Sequence, residues 1–278
     1  NGLKLVNDSF GHKIGDQLLQ ETGKVLSNAC NNKQPVFRMG GDEFLILVPQ
    51  TSVQEMETLV GRIRESTKEV SLNNIKLSIS FGMAIKENRF EDIADTSKKA
   101  EDEMYSNKLL EGPSMRRKTI DTIVQTLYEK NPREKEHSSR VSFICKEMGV
   151  QLGMSDDKIK ELEIVGLLHD IGKIAISNSI LEKNGSLDND EWKEIKRHPE
   201  IGYRILNTTN EMAQIAKYAL NHHERYDGKG YPQGLKGEEV PLVSRIISIA
   251  DSYDAMVSDR PYRKGLAQEV AIEEIKKN

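Results

Sequence analysis

Residues 164–173 read IVGLLHDIGK, and this stretch decides the fold predicted for the second half of the chain. Its apolar residues should be buried, yet His169 and Asp170 follow them directly. Burying an unpaired carboxylate is costly, and a metal ion is one of the few partners that offsets the cost. Histidine and aspartate offer the ligands that suit Mn, Fe, Co, Ni or Zn. Neighbouring helical side chains point about 100° apart, so this pair can hold two metals or two sides of one.

The other histidines concentrate in the same half of the chain. Five of the six lie after residue 136, and His222 and His223 are adjacent, which lets both reach a site over one helix end. Asp251 interrupts the apolar run IISIADSYDAM, with Asp254 one turn further on the same face. Taken alone, each is typical of a satisfied core histidine or a capping or salt-bridging aspartate. Together they predict a metal cluster. The candidate ligands are His137, His169, Asp170, His198, His222, His223 and Asp251.

Composition places the chain among globular proteins and argues against several partners. Its 278 residues suffice for two domains, and a net charge of −4 gives no basic excess for nucleic acid. Cys30 and Cys145 stand far apart and outside any CxxC spacing, which argues against disulfides or a thiolate zinc site and favours a cytoplasmic location. No apolar run approaches the roughly 20 residues that span a bilayer. We therefore predict neither a nucleic-acid partner nor a membrane segment in this chain.

The chain divides into two parts of different texture, predicted as domains 1–111 and 112–278. The first part is α/β, with strands expected around the hairpin Gly40-Gly41-Asp42. After Gly112 and Pro113 almost no strand pattern remains, and the second part is predicted to be all-α. Strands are expected at 36–39, 43–48 and 75–85, and helices at 92–110, 114–130, 138–152, 156–170, 190–206, 210–224 and 240–257.

The histidine motifs match a family in type and order. These motifs are HSSRV (137–141), HDIGK (169–173), HPEIG (198–202), HHERYDGKGYP (222–232) and ADSYDAM (250–256). They resemble the HD-GYP domain, a subgroup of the HD metal-dependent phosphohydrolases, over roughly residues 114–278. The resemblance implies an all-α HD-superfamily fold and a metal centre that hydrolyses cyclic di-GMP to pGpG or GMP.

The resemblance also suggests roles for individual residues. Asp170 would bridge two metals as a catalytic residue; His137, His169 and Asp251 would complete one coordination shell, and His198, His222 and His223 the other. Lys173 would hold a phosphate oxygen, Tyr231 would stack on a base or a partner, and Arg260 and Arg263 would grip the substrate. Some relatives place a third-metal glutamate four residues before the first histidine. Because Arg133 stands there, with Glu134 next to it, we expect two divalent metals.

The first part resembles the GGDEF domain of diguanylate cyclases. The matching segments are LKLVNDSFGHKIGD (3–16), RMGGDEF (38–44) and AEDEMYSNK (100–108). The resemblance assigns Asn7 and Asp16 to guanine, Gly40, Gly41 and Lys108 to phosphates, Asp42 to Mg and Glu43 to a metal-linked catalytic acid. The sequence starts after the family's first helix and most of its first strand, so we expect a partial sheet, an incomplete nucleotide site and no cyclase activity from this chain as given.

The leading functional hypothesis is a cyclic di-GMP phosphodiesterase of HD-GYP type, regulated by the GGDEF part. One alternative is a non-catalytic regulatory module that binds GTP or cyclic di-GMP. Another is a diguanylate cyclase in the full-length protein. The family resemblance further implies a homodimer and the cytosolic part of a larger sensor.

Overall fold

The computed structural model divides into two compact units, Asn1–Thr122 and Ile123–Asn278. The described residues are 2–183, 185–259 and 264–277, with the backbone alone for 109–113 and 115.

The N-terminal unit combines helices with two small antiparallel sheets. Its core includes Leu26, Leu59 and Ile63, all less than 5% exposed. Strand β1 pairs with β2, and β3 pairs with β4. The elements are α1 (Leu3–Phe10), α2 (His12–Ala29), β1 (Val36–Gly40), β2 (Glu43–Ile46), α3 (Val53–Lys68), β3 (Ser71–Leu72), β4 (Ile75–Lys76) and α4 (Ile93–Lys130), whose last residues belong to the second unit.

The hairpin between β1 and β2 forms where the two glycines predict it. Gly41 has a φ of +52°, a conformation that favours glycine because it carries no Cβ. The guanidinium of Arg38 donates to the Gly41 carbonyl at 3.1 and 2.8 Å from Nε and Nη2. This bond closes the turn and leaves Asp42 and Glu43 at its exposed end.

The strand predicted at 75–85 is wrong beyond its first two residues. Only Ile75 and Lys76 pair as a strand, and residues 77–85 are assigned to no strand. Two side chains of α4 bond this segment instead: Glu103 accepts from the Met83 amide at 2.8 Å, and Asn107 donates to the Phe81 carbonyl at 2.9 Å. An alternating pattern marks a half-buried extended segment, but a strand also requires a backbone partner.

The second unit is helical, which confirms the predicted fold class of an α/β part followed by an all-α HD-type domain. Beyond α4, its elements are α5 (Pro132–Gln151), α6 (Asp156–Leu168), α7 (Asn178–Leu181), α8 (Asn189–Ile195), α9 (His198–Leu206), α10 (Ala213–Leu220), α11 (Leu242–Val257) and α12 (Gln268–Lys277). Short 3-10 turns lie at Ile171–Ala175, Asn210–Met212 and Gly237–Glu239.

Several predicted helix boundaries differ in the structure. Helix α5 starts at Pro132 rather than at residue 138, and α10 covers only Ala213–Leu220 of the predicted 210–224. The helix expected to start at Ser114 is part of α4, which runs from Ile93 to Lys130. The helix expected over 190–206 is instead split into α8 and α9. Pro199 accounts for the break, because it has no N–H to donate to the Ile195 carbonyl. That carbonyl therefore remains free to accept another hydrogen bond.

Close packing at two glycines brings the elements of the helical unit together. A Cβ on Gly166 would lie 2.6 Å from the Ser142 Cα, so α6 packs directly on the backbone of α5. A Cβ on Gly172 would lie 2.0 Å from the His198 carbonyl oxygen. The HDIGK turn therefore rests on the first turn of α9, which places His169 and His198 near each other.

Candidate metal centre

Three of the candidate histidines lie at or just beyond a helix end or at a helix break. The last carbonyls of a helix lack an intrahelical donor, and an imidazole can fill that place. In each case the Nδ1–H donates to a carbonyl three residues earlier, so the ring is fixed with its Nε2 pointing away from the helix. The three bonds join His169 to Gly166 at 2.9 Å, His198 to Ile195 at 2.7 Å and His222 to Ala219 at 2.5 Å.

His137 achieves the same orientation in a different way. It lies inside α5, where the backbone hydrogen-bond ladder occupies the nearby carbonyls. Its Nδ1 instead faces the Oδ2 of Asp254 at 2.7 Å. Arg140 donates to the two oxygens of Asp254 at 2.5 and 3.0 Å, and Asp254 is 2% exposed. This buried carboxylate is the backing group that a metal-binding histidine commonly uses.

Asp170 lies at the centre of the four imidazoles. Its Oδ1 is 3.0 Å from the Nε2 of His198 and 3.7 Å from the Nε2 of His222. Its Oδ2 is 3.1 Å from the Nε2 of His169 and 3.7 Å from the Nε2 of His137. The four imidazoles therefore form two pairs: His198 and His222 face Oδ1, and His137 and His169 face Oδ2.

His223 and Asp251 complete the two groups. The Oδ1 of Asp251 lies 3.2 Å from the Nε2 of His137. Within each group the possible ligand atoms lie within 4.8 Å of one another, close enough to share one ion. The groups are Asp170, His198, His222 and His223 on one side, and His137, His169 and Asp251 on the other.

The donor set fits metal cations because acceptor atoms face acceptor atoms. The Nδ1 of His198 and of His222 each donate a proton, so the Nε2 of each neutral ring carries a lone pair, and these nitrogens lie 3.3 Å apart. The Nε2 of His169 and the Oδ1 of Asp170 are buried without a hydrogen-bond partner among the described residues. A divalent cation satisfies such a group of lone pairs.

Comparison with known proteins agrees with this geometry. A family model described as an HD domain matches residues 121–278, more than half of the chain. The chain belongs to the HD domain family. A model described as the GGDEF domain of diguanylate cyclase matches residues 1–114. Both matches confirm the resemblances found in the sequence.

Relatives with curated names are similar to about half of the chain. The chain is 40% identical over 158 residues to the cyclic di-GMP phosphodiesterase response regulator RpfG of Xanthomonas campestris pv. campestris, covering 56% of this chain and 42% of the relative. A cyclic di-GMP phosphodiesterase of Thermotoga maritima is 45% identical over 141 residues, covering 50% and 38%. The 3'3'-cGAMP-specific phosphodiesterase 3 of Vibrio cholerae is 39% identical over 149 residues, covering 54% and 32%. The chain thus spans less than half the length of these relatives. Among the described residues, no helix is both long and apolar enough to cross a membrane.

Charges in the HD domain separate the two groups of ligands. Burial lowers the pKa of His222 well below its ordinary value, and burial with His198 lowers the pKa of His223 to about 4. Burial also lowers the pKa of His137, but Asp251 and Asp254 outweigh it and raise this pKa to about 10. The carboxylates beside His137 therefore favour a positive charge on that side. On the other side, burial keeps the imidazoles of His222 and His223 neutral.

Glu134 also belongs to this site, although the sequence pattern did not predict it as a ligand. It is 8% exposed and forms a possible ligand group with His137 and Asp170. Its Oε1 lies 2.5 Å from the Nζ of Lys173, which is also 2.6 Å from the Oδ2 of Asp170. Spacing provides the signal that could have identified Glu134, because residues i and i+3 share a helix face. Burial lowers the pKa of Lys173, but Asp170 and Glu134 outweigh burial and raise it.

The loop after His223 is held against the site by Glu224. This carboxylate is 2% exposed and accepts three backbone N–H groups, from Gln233 at 2.6 Å, Gly234 at 3.1 Å and Leu235 at 3.0 Å. A Cβ on Gly230 would lie 2.3 to 2.6 Å from backbone atoms of residues 223–225, so only glycine fits there. The loop therefore places the Tyr231 ring 4.8 Å from the His223 ring.

Arg260 and Arg263, predicted to contact the substrate, lie outside the described residues. In the N-terminal unit, Asp42, Glu43 and Lys108 line a cavity of about 390 Å³. The cavity walls are mostly apolar side chains of the unit's core.

The remaining residues assigned to nucleotide binding in the N-terminal unit lie around α1, α2 and the hairpin. Asn7 lies beside Gly15, where a Cβ would approach its Oδ1 to 1.9 Å, and the following Asp16 is exposed. Gly40 and Gly41 form the hairpin. Among the described residues, groups of three or more metal donors occur only in the helical unit.

Proposed function

We propose that this chain is a metal-dependent phosphodiesterase that hydrolyses cyclic di-GMP to pGpG or GMP in its HD domain. The observation that carries the proposal is the pair of ligand groups joined by the two oxygens of Asp170. Relatives named as cyclic di-GMP phosphodiesterases, at 40% identity over 158 residues and 45% over 141, support the choice of substrate.

The seven candidate ligands would hold two divalent transition metals such as Fe, Mn, Zn, Co or Ni. His198, His222 and His223 would hold one metal, while His137, His169 and Asp251 would hold the other, with Asp170 bridging. When bound, such a pair supplies Lewis acidity that activates water and stabilises charge at the phosphorus. Lys173 donates to the Oε1 of Glu134, so one oxygen of the carboxylate that a third metal would need is already engaged, which supports two metals rather than three.

Lys173 and Tyr231 would bind and orient the substrate beside these ligands. The Lys173 ammonium is held by Asp170 and Glu134 and is 20% exposed, so it can donate to a phosphate oxygen without leaving the site. The Tyr231 ring covers one side of His223 and would limit the access of water there. The family resemblance assigns Arg260 and Arg263 to contacts with the phosphates or the guanines of the substrate.

We further propose that the GGDEF part regulates the HD domain by binding GTP, with Mg at Asp42. The cavity lined by Asp42, Glu43 and Lys108 supports this proposal. A homodimer follows from the family resemblance. The two free thiols, Cys30 and Cys145, support a reducing, cytoplasmic location.

Hydrolysis of cyclic di-GMP by metal-loaded protein tests the main proposal, together with elemental analysis of protein purified without chelator. Asp170→Asn should remove most of the bound metal and the activity together, whereas Asp156→Asn, an exposed aspartate on α6, should change neither. A metal-loaded sample that leaves cyclic di-GMP intact, with equal metal content in the Asp170 variant, would overturn the proposal.

A further inference from the structure

An open depression of about 520 Å³ lies on α8, the helix that leads to His198, and Trp192 lines it. Trp192 is the only tryptophan of the chain, and 47% of its surface is exposed. A single exposed apolar side chain is common on protein surfaces and implies no ligand by itself. The positive charge of Lys196 beside this ring is the feature that indicates a ligand.

The side chain of Lys196 lies near two aromatic rings. Its Nζ is 6.0 Å from the centre of the Trp192 ring and 5.3 Å from the centre of the Tyr231 ring. Two neighbouring cations are neutralised: Lys193 pairs with Asp190 at 2.8 Å and Arg197 with Glu194 at 2.7 Å. No carboxylate of the described residues lies within 4.0 Å of the Lys196 ammonium. The Lys196 ammonium and the exposed face of Trp192 are thus both accessible to a ligand.

Tyr231 lies between Lys196 and the candidate metal ligand His223. The Tyr231 ring is 5.3 Å from the Lys196 ammonium and 4.8 Å from the His223 ring. Lys196 also comes two residues before His198 in the chain. A substrate whose phosphate lies at the metal ligands would therefore extend an attached group towards Trp192.

We propose that Trp192 and Lys196 form a subsite for a purine base of the substrate, an inference that rests on the proposed function. The base stacks on the exposed face of Trp192, as bases do on aromatic side chains. Lys196 donates to O6 and N7 of guanine, whereas adenine offers an amino donor in place of O6. The subsite therefore favours guanine over adenine.

Steady-state kinetics with two substrates test the subsite. Bis(p-nitrophenyl) phosphate has a phosphodiester bond but no purine, so it reports on the metal centre alone. Trp192→Ala should lower kcat/KM for cyclic di-GMP about fivefold or more relative to kcat/KM for bis(p-nitrophenyl) phosphate, mainly through KM. Phe143→Ala, which removes an exposed aromatic ring from α5, is the matched control. Equal losses for both substrates, or equal losses in both variants, would overturn the proposal.

Fluorescence gives a test that does not depend on turnover. GMP contains no phosphodiester bond, and Trp192 is the only tryptophan, so quenching by GMP reports directly on stacking at this ring. GMP should bind more tightly than AMP, and Lys196→Met should reduce that preference about fivefold or more. Lys217→Met, an exposed lysine on α10, should leave the preference unchanged.

The two tests separate failure of the subsite from failure of the proposed function. Quenching by GMP in a protein that does not cleave cyclic di-GMP would reject the enzymatic proposal and retain the subsite. Cleavage of cyclic di-GMP without quenching by GMP, and with equal kinetics in Trp192→Ala, would reject the subsite and retain the enzyme.

Discussion

Asp254 has a different task from Asp251, although the two aspartates share one face of α11. Asp251 faces the Nε2 of His137, whereas Asp254 binds the opposite ring nitrogen and the guanidinium of Arg140. Burial raises the pKa of Asp254, but the bonds from His137 and Arg140 outweigh it and lower the pKa to about 2. Asp254 therefore stays ionised and fixes the ring of His137.

Replacing Asp254 by asparagine should weaken metal binding without removing a ligand. The amide accepts the Nδ1–H less strongly and no longer balances Arg140, so His137 is held less firmly. Loss of such a backing group typically costs about 10- to 100-fold in metal affinity. Competition with a chromogenic chelator measures this affinity, and Asp156→Asn is the control on an exposed aspartate. Equal affinity in wild type and Asp254→Asn would show that Arg140 and Asp254 only pack the helices together.

The sequence predicted the candidate metal ligands better than the residues that bond to those ligands. The histidines and Asp170 could be recognised from the sequence because ionisable residues that end apolar helices need a partner. Asp254 could be recognised as a carboxylate on the face of Asp251, but its role could not, because its partner, His137, lies 117 residues away in the chain. Glu134 was not predicted for a different reason: the family pattern places a glutamate at the position of Arg133, one residue earlier.

Cys145 should make stability depend on alkaline pH. It is 0% exposed, and burial raises its pKa from 9.0 to about 12, with Asp251 adding to the shift. Between these values the unfolded thiol is ionised and the folded thiol is not, so the unfolded state binds fewer protons and stability falls as pH rises. The difference in unfolding free energy between wild type and Cys145→Val should shrink by about 1.4 kcal/mol per pH unit from pH 9.5 upwards, measured with urea. A constant difference up to pH 11 would contradict a buried neutral thiol.

Helix ends orient three of the five candidate histidine ligands. The ends of α6, α8 and α10 each leave a carbonyl that fixes a histidine ring. The sequence indicated the helices themselves through apolar spacing. It did not indicate the break before His198, because composition over 190–206 favours one continuous helix and Pro199 can also occupy the first turn of a new one.

The loop that carries Tyr231 should depend on one buried carboxylate. Glu224→Gln leaves an amide N–H facing backbone N–H donors of residues 233–235, and leaving buried donors unpaired costs about 1–3 kcal/mol. Opening of the loop should therefore become about tenfold more frequent or greater. Limited trypsin digestion, with mass spectrometry of cleavage after the exposed Lys229, measures this opening.

Glu238 offers the matched control for this loop. Its carboxylate also accepts hydrogen bonds, in this case from the side chains of Arg245 and Tyr226, but it is 75% exposed. Glu238→Gln should leave cleavage after Lys229 close to that of wild type, since exposed ion pairs contribute little. Similar cleavage rates in the two variants would mean that Glu224 does not hold the loop.

The two units differ in what can stabilise them. The N-terminal unit has an apolar core but, in its described residues, no group of three metal donors. In the helical unit, candidate ligands come from α5, α9, α11 and the segments after α6 and α10. Their positions run from 137 to 251, so bound metals would join elements that are distant in the chain. In the absence of GTP, stabilisation by transition metal should therefore be confined to the helical unit.

Hydrogen exchange with and without chelator measures this difference along the chain. Removing metal that was present at about 100 times its Kd costs about 2.7 kcal/mol, equivalent to about 100-fold faster exchange where global opening limits it. Peptides from α5, α9 and α11 should show this increase, while peptides from α2 and α3 should show none. In Asp170→Asn, exchange should be fast in the helical unit and insensitive to the chelator, because the variant lacks the bridging carboxylate. A chelator effect of equal size in both units, or its persistence in Asp170→Asn, would mean that metal acts elsewhere than at these ligands.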